Sequence, residues 1–276
     1  MAWLPITVVP DPNDARARQA WIDAVAGTVS LRMLLDTGTF RSAIPQRANG
    51  TTLLVDHVSS GRGLSGAAGP NQRATLGGLS AGPIRQTDMV VDIQDAERPH
   101  PPLLGRDVFQ HHRCDFQFSN GGVEIDPVDD PVDLATWGTW GSSDAPGVEL
   151  RWGDTAVRAV WDTGAGITIV DRTWAERHPE AITILQAEDH GTDVTGASVT
   201  GVRGQMASYA VGDLGFPEQQ CGVVDLSDLN AQLTQPINML LGLPQIELAD
   251  WYLDFPERRL GAYLSPATSS GSRQSR

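Results

Sequence analysis

The chain has 276 residues, 34 of them acidic and 20 basic, giving a formal net charge of −14 and a pI near 4.7. That balance excludes nucleic acid and anionic membrane surfaces as partners. Every basic residue counted there is arginine, so lysine Schiff-base and Ser–Lys chemistry are excluded as well.

Short apolar runs, 29 glycines, 18 prolines and few aromatic residues predict an all-β fold of many short strands joined by turns. Residues 1–9 are a strand candidate. Residues 29–33 alternate at period two and become fully apolar at Leu34-Leu35, the pattern of a strand entering a core. Residues 39–44 predict an outgoing strand, and the Gly-rich run 60–69 a hairpin tip. Residues 126–147, rich in Asp, Pro, Gly and Ser, read as a connector on which Trp137 and Trp140 are expected to dock inward. Residues 155–161 repeat the incoming strand and 165–170 the outgoing one. Residues 172–177 predict a short helix stopped before Pro179, 192–198 a second hairpin tip, and 225–233 another short helix. The Ser-rich end, 266–276, is expected to be disordered.

Cys114 and Cys221 have no Cys-x-x-Cys or Cys/His spacing around them. Zinc is therefore not expected, and two free thiols suit a reducing compartment. The N-terminus lacks a basic region and a long apolar core, and no apolar run is long enough to span a membrane. The expected location is cytoplasmic. The six histidines are scattered and no Gly-x-Ser-x-Gly elbow is present, so a Ser-His-Asp hydrolase is not supported.

The chemistry lies in a repeat. Leu34-Leu35-Asp36-Thr37-Gly38 recurs as Val160-Trp161-Asp162-Thr163-Gly164, an offset of 126 (162 − 36). The same offset places Ile22 on Val148, Gly27 on Gly153 and Arg32 on Arg158. Further on it grows to 133 (215 − 82), matching Val90-Val91-Asp92 with Val223-Val224-Asp225. It then grows to 137 (240 − 103), matching Leu103-Leu104-Gly105 with Leu240-Leu241-Gly242. The pattern reads as one unit duplicated, with insertions in the second copy. A single Asp at such a turn suits a cap on the following N–H groups. Two in register suit a pair of carboxylates too close to ionise together, one holding a proton while the other acts as base on water. A hydroxyl at Thr39 is placed to hydrogen-bond Asp36 and lower its pKa, whereas Ala165 offers none to Asp162.

On these residues the chain resembles the aspartic peptidases, over roughly 22–125 and 147–264. The two Asp-Thr-Gly triplets, Thr39 or Ala165 after them, the Gly-rich segments and Leu103-Leu104-Gly105-Arg106-Asp107 are most similar to the retropepsin branch. The second copy departs from it with Leu243-Pro244 after Gly242. The resemblance implies an all-β, bilobal acid-protease fold of two homologous β-barrel-like lobes with pseudo-twofold symmetry. It divides the chain into an N-terminal lobe at 1–130, a linker at 131–146, a C-terminal lobe at 147–265 and a tail at 266–276. A short helix is implied after each Leu-Leu-Gly, and chain ends that pair into a sheet tying the lobes together. Asp36 and Asp162 are implied to be catalytic, and Thr37 and Thr163 to reach across to the opposite lobe. Gly38 and Gly164 are expected to keep the turns open to substrate. Leu64, Ser65, Gly66, Val194, Thr195 and Gly196 are implied to form flaps over an extended peptide, although plain hairpin loops would share that composition. The implied activity is endopeptidase cleavage of a peptide or protein by a monomer, without metal or cofactor. The alternative is a silent peptide-binding scaffold that keeps the fold.

Overall fold

A computed structural model describes residues 2–48, 51–52, 55, 57–62, 68–94, 101–137, 144–192, 198–231 and 233–265. Two large curled sheets, one from each half of the chain, meet at a third that both halves build. In the first, the strands His57–Arg62, Ala68–Ala81, Ile84–Gln94, Ala43–Pro45, Leu103–Leu104, Val29–Leu35 and Arg18–Ala26 lie side by side, with Thr7–Pro10 beyond them. In the second, the order is Ile182–Thr192, Ser198–Met206, Gln219–Val224, Ile169–Asp171, Met239–Leu241, Thr155–Trp161 and Gly147–Trp152, with Tyr209–Val211 and Leu214–Phe216 beyond. The first seven strands follow the same order in both, each matched by its repeat-related counterpart, and the orders differ only in what lies beyond them. Gly27 and Gly153, 126 positions apart (153 − 27), turn equivalent hairpins at φ of 61° and 59°, a conformation cheap only for glycine.

In the first sheet one long strand serves two neighbours. Ala68–Ala81 pairs along Ile84–Gln94 and then with Arg18–Ala26, through Ala24 opposite Ala81 and Ala26 opposite Leu79. In the second half the same course is broken into separate strands, and Arg151 pairs with Ala210 instead.

The third sheet runs Ala2–Pro5, Gly122–Ile125, Arg113–Gln117, Asp250–Asp254, Arg259–Tyr263, Ala135–Thr136. Its two central strands are repeat copies, 137 apart (250 − 113), and they pair antiparallel with Cys114 opposite Leu253. The chain ends thus join one sheet, although not each other. The N-terminal strand splits at Ile6, whose N–H donates to Gly121 O at 2.9 Å after Pro5, which has no N–H of its own to give. The expected linker is part of this sheet: residues 135–136 form its edge strand, and Trp137 is buried edge-on against Phe255 at 5.8 Å. Trp140 and the tail 266–276 lie outside the described residues.

Asp171 caps the helix Arg172–Arg177 by accepting from Trp174 N at 3.0 Å. The other expected helices shorten to the turns Arg106–Val108, Ser227–Asn230 and Leu243–Ile246. The outgoing strands begin later than expected, at Ala43 and Ile169. Residues 39–40 are held instead by Arg106 N and Asp107 N, which donate to the carbonyls of Thr39 and Phe40, and Ala165 O is held by Leu243 N. Both cysteines are buried and unpaired.

The core bridges the halves. Trp161 and Trp251 are fully buried, their rings 5.9 Å apart, and Phe116 from the first half meets Trp161 edge-on at 5.2 Å. The indole N–H of Trp251 also donates to Ile246 O at 2.8 Å. Trp251→Ala is expected to cost about 3–5 kcal/mol, measured by denaturant unfolding; a loss under about 1 kcal/mol would mean that this aromatic layer does not hold the halves together.

Candidate active site

Asp36 and Asp162 each follow an incoming strand of seven residues, Val29–Leu35 and Thr155–Trp161. Each is pinned by the parallel Leu-Leu strand beside it: Asp36 N donates to Leu104 O and Asp162 N to Leu241 O, both at 3.0 Å. Behind each turn a hydroxyl ties down the glycine after that strand. Gly105 N donates to Ser42 Oγ and Gly242 N to Thr168 Oγ1, again both at 3.0 Å. Ser42 and Thr168 are 126 apart (168 − 42), so the repeat carried this support pair in plain view.

The threonines after the aspartates bond across the halves. Thr37 N donates to Thr163 Oγ1 at 3.1 Å, and Thr163 N to Thr37 Oγ1 at 3.0 Å. Each hydroxyl proton goes on to a carbonyl of the opposite half: Thr37 Oγ1 to Trp161 O and Thr163 Oγ1 to Leu35 O, both at 3.0 Å. All of these groups are buried, where an unmade bond costs about 1–3 kcal/mol.

Gly38 and Gly164 also make room for the carboxyls themselves. What lies against each is the opposite carboxylate. A Cβ on Gly38 would stand 2.3 Å from Asp162 Oδ2, and one on Gly164 2.4 Å from Asp36 Cγ. No side chain fits either place.

Asp36 is 2% exposed and Asp162 9%. Three N–H groups donate to Asp162 Oδ1: Gly164 at 2.9 Å, Gly38 at 3.1 Å and Ala165 at 3.3 Å. Thr39 N donates to Asp36 Oδ1 at 2.9 Å. The bond expected from the Thr39 hydroxyl is therefore made by its backbone, and Ala165 makes the equivalent one without needing a hydroxyl. Burial raises both carboxyls above the ordinary carboxylate range, and the charge of Asp36 raises Asp162 further. The Thr39 N–H and the Arg106 charge oppose the rise at Asp36. Asp107, which holds Ser42 through its N–H and hydroxyl at 2.8 Å, is itself pushed up to about 6 by burial.

Sequence reasoning gave Arg106 no role. Its guanidinium is 4% exposed and donates to Thr37 O at 2.8 Å, Gly38 O at 2.9 Å and Asp144 Oδ1 at 3.1 Å. Leu243 stands at the equivalent position. The signal was the contrast between Gly105-Arg106-Asp107 and Gly242-Leu243-Pro244. The six expected flap residues, Leu64, Ser65, Gly66, Val194, Thr195 and Gly196, lie outside the described residues. Among the described residues no group of histidine, cysteine and carboxylate side chains is arranged to hold a metal ion, and no helix is long and apolar enough to cross a membrane.

Residues 148–244 match a family model described as aspartyl protease. The match takes in Asp162-Thr163-Gly164 and the second Leu-Leu-Gly. Among solved structures the chain is similar to conglutin gamma, a basic 7S globulin from lupine seeds, at a TM-score of 0.54 and 10% identity over 96% of this chain and 95% of that one. That likeness concerns the fold, which is an all-β, aspartic-protease-like fold. No curated protein matches the chain.

The raised carboxyls set a sign for stability. The folded chain binds their protons more tightly than the unfolded chain does. The resulting stabilisation is complete below about pH 4, the unfolded carboxylate range, and is lost as pH rises through the folded values. Asp107 acts in the same direction. The melting temperature is expected to fall between mildly acid and neutral pH, and to fall less steeply for Asp162→Asn. Parallel curves for the variant and the wild type would show that Asp162 does not titrate in that window.

Proposed function

We propose that this protein is an aspartic endopeptidase. The observation that carries the reading is the pair of buried aspartates on repeat-related turns, each pressed against the other's glycine. Two carboxyls so close cannot both ionise freely. Asp36, ionised, takes a proton from a water lying between them, and the oxygen of that water bonds to the peptide carbonyl carbon. Asp162, protonated, gives its proton to the carbonyl oxygen. Collapse of the tetrahedral intermediate breaks the C–N bond, the proton held by Asp36 passes to the leaving nitrogen, and Asp162 recovers its own. Every proton is accounted for by the two carboxyls, so the cycle needs no cofactor.

On this reading the halves are two lobes, 1–130 and 147–265, joined through 131–146, and the repeat supplies one carboxyl from each. The flap residues assigned by resemblance, Leu64, Ser65, Gly66, Val194, Thr195 and Gly196, would contact the peptide substrate. Because both lobes sit on one chain, the active species is a monomer. Two buried free thiols suit a reducing compartment and support a cytoplasmic location on this reading.

Asp36→Asn and Asp162→Asn should each lower cleavage of a peptide library to below about 1% of wild type, since proton transfer from a placed side chain supplies about 10²–10⁴-fold, while circular dichroism is unchanged. A peptide mimic bearing a hydroxyl in place of the scissile carbonyl should bind the wild type and compete with substrate. Wild-type turnover retained by either variant would remove the assignment. Binding of peptides without any cleavage by the wild type would favour the silent scaffold.

A further inference from the structure

The two carboxyls have similar backbone settings and unlike surroundings. Behind the Asp36 turn lies the guanidinium of Arg106, buried and bonded to Thr37 O and Gly38 O at 2.8 and 2.9 Å. Behind the Asp162 turn the repeat places Leu243, and among the described residues no other buried arginine takes the place of Arg106.

The bond to Gly38 O has a direct sequel. That carbonyl shares its peptide unit with the N–H of Thr39, which donates to Asp36 Oδ1 at 2.9 Å. A guanidinium on the oxygen draws electron density from the nitrogen and makes the N–H a stronger donor, the cooperative effect of chained hydrogen bonds. The equivalent N–H, on Ala165, has no such support and stands 3.3 Å from Asp162 Oδ1. The shorter bond is on the side that has the arginine.

The other charges nearby do not supply this difference. Arg41 lies near Asp92, which also takes Arg73. Asp107 is turned to Ser42. Arg18 and Glu247 pair with each other at 3.0 Å on the Asp162 side. Asp144, half-exposed, bonds Arg106 itself and so tempers its charge. The count of N–H donors points the other way, with three on Asp162. All three go to Oδ1, however, and leave Oδ2 to carry a proton.

We propose that Arg106 is a positioning residue that makes the two carboxyls unequal, holding the charge on Asp36 through Gly38 O and Thr39 N–H and so leaving the shared proton on Asp162. The division of labour between base and acid would then be set by one arginine present in only one copy of the repeat. The inference rests on the peptidase reading for its use, but the inequality itself is a property of the folded chain.

The test therefore reads titration as well as turnover. In the full-length protein labelled with ¹³C at the aspartate carboxyls, Asp36 and Asp162 are assigned by their Asn variants and followed across pH. Alongside, kcat/KM is measured against pH on a cleaved peptide. In the wild type, Asp162 should carry the proton over the range in which the pair holds one. Arg106→Met should spread that proton over both carboxyls and raise the acid limb of the rate profile by about 1 pH unit, the low end for loss of a nearby opposite charge. Arg106→Lys, which keeps the charge, should restore most of the wild-type profile. Asp144→Asn, which leaves Arg106 unpaired and changes only an exposed partner, should move the acid limb down. Should Arg106→Met fail to fold, the opposite shift in Asp144→Asn decides. Equal titration of the two carboxyls in the wild type, or curves unmoved by Arg106→Met and Asp144→Asn alike, would overturn the proposal. A wild type that cleaves no peptide would remove the peptidase reading and leave the carboxyl titration to decide this one.

Discussion

The reciprocal bond between Thr37 and Thr163 is the constraint on which the rest depends. Four donors and four acceptors, all buried, are satisfied only if the two turns approach at one distance and one orientation. Neither turn can satisfy itself, because each hydroxyl gives its single proton to a carbonyl of the other half. With the threonines locked, the next residue on each side is driven against the opposing carboxyl, and only glycine fits. The closeness of the two aspartates, and with it their raised affinity for protons, is thus fixed from beneath by uncharged groups. The repulsion between the carboxyls is held in place by hydrogen bonds and core packing elsewhere.

That frame is nearly symmetric, and the departures from symmetry lie one step outside it. The Leu-Leu strands, the hydroxyls of Ser42 and Thr168 and the pinned aspartate N–H groups are matched in distance across the halves. Arg106 and Leu243 are not matched, nor are Asp107 and Pro244. Pro244 has no N–H, so the bond that Asp107 makes to Phe40 O has no equivalent. Repeat-related positions thus agree in the geometry next to the carboxyls and differ one layer behind it.

Much of this was legible in the sequence because repeats expose what both copies must keep. The incoming strands at 29–35 and 155–161, the paired Asp-Thr-Gly turns and the helix capped before Pro179 all follow from alternation, spacing and one proline. What escaped was the direction in which groups face. The closeness of Gly38 to Asp162 of the other half was not visible in the sequence. Thr39 looked like a hydroxyl donor, and its backbone does the bonding. The outgoing strands looked longer than they are, since β-propensity at 39–42 does not reveal that Thr39 and Phe40 carbonyls are already taken by Arg106 and Asp107. The connector hid an edge strand at 135–136 because two residues gain their pairing only from Arg259–Tyr263, more than a hundred positions away.

Two of the ion pairs that cross between the halves have a consequence for assembly. Arg18 pairs with Glu247, and Arg106 with Asp144. Asp144 is the repeat counterpart of Arg18, 126 positions on (144 − 18). Were two N-terminal halves to associate with each other, Arg106 of one would meet Arg18 of the other. Were two C-terminal halves to do so, Glu247 would meet Asp144. Like charges would face one another in both mismatched assemblies, and opposite charges only in the native one. Charge complementarity at these two places therefore favours pairing of unlike halves within one chain over exchange between chains.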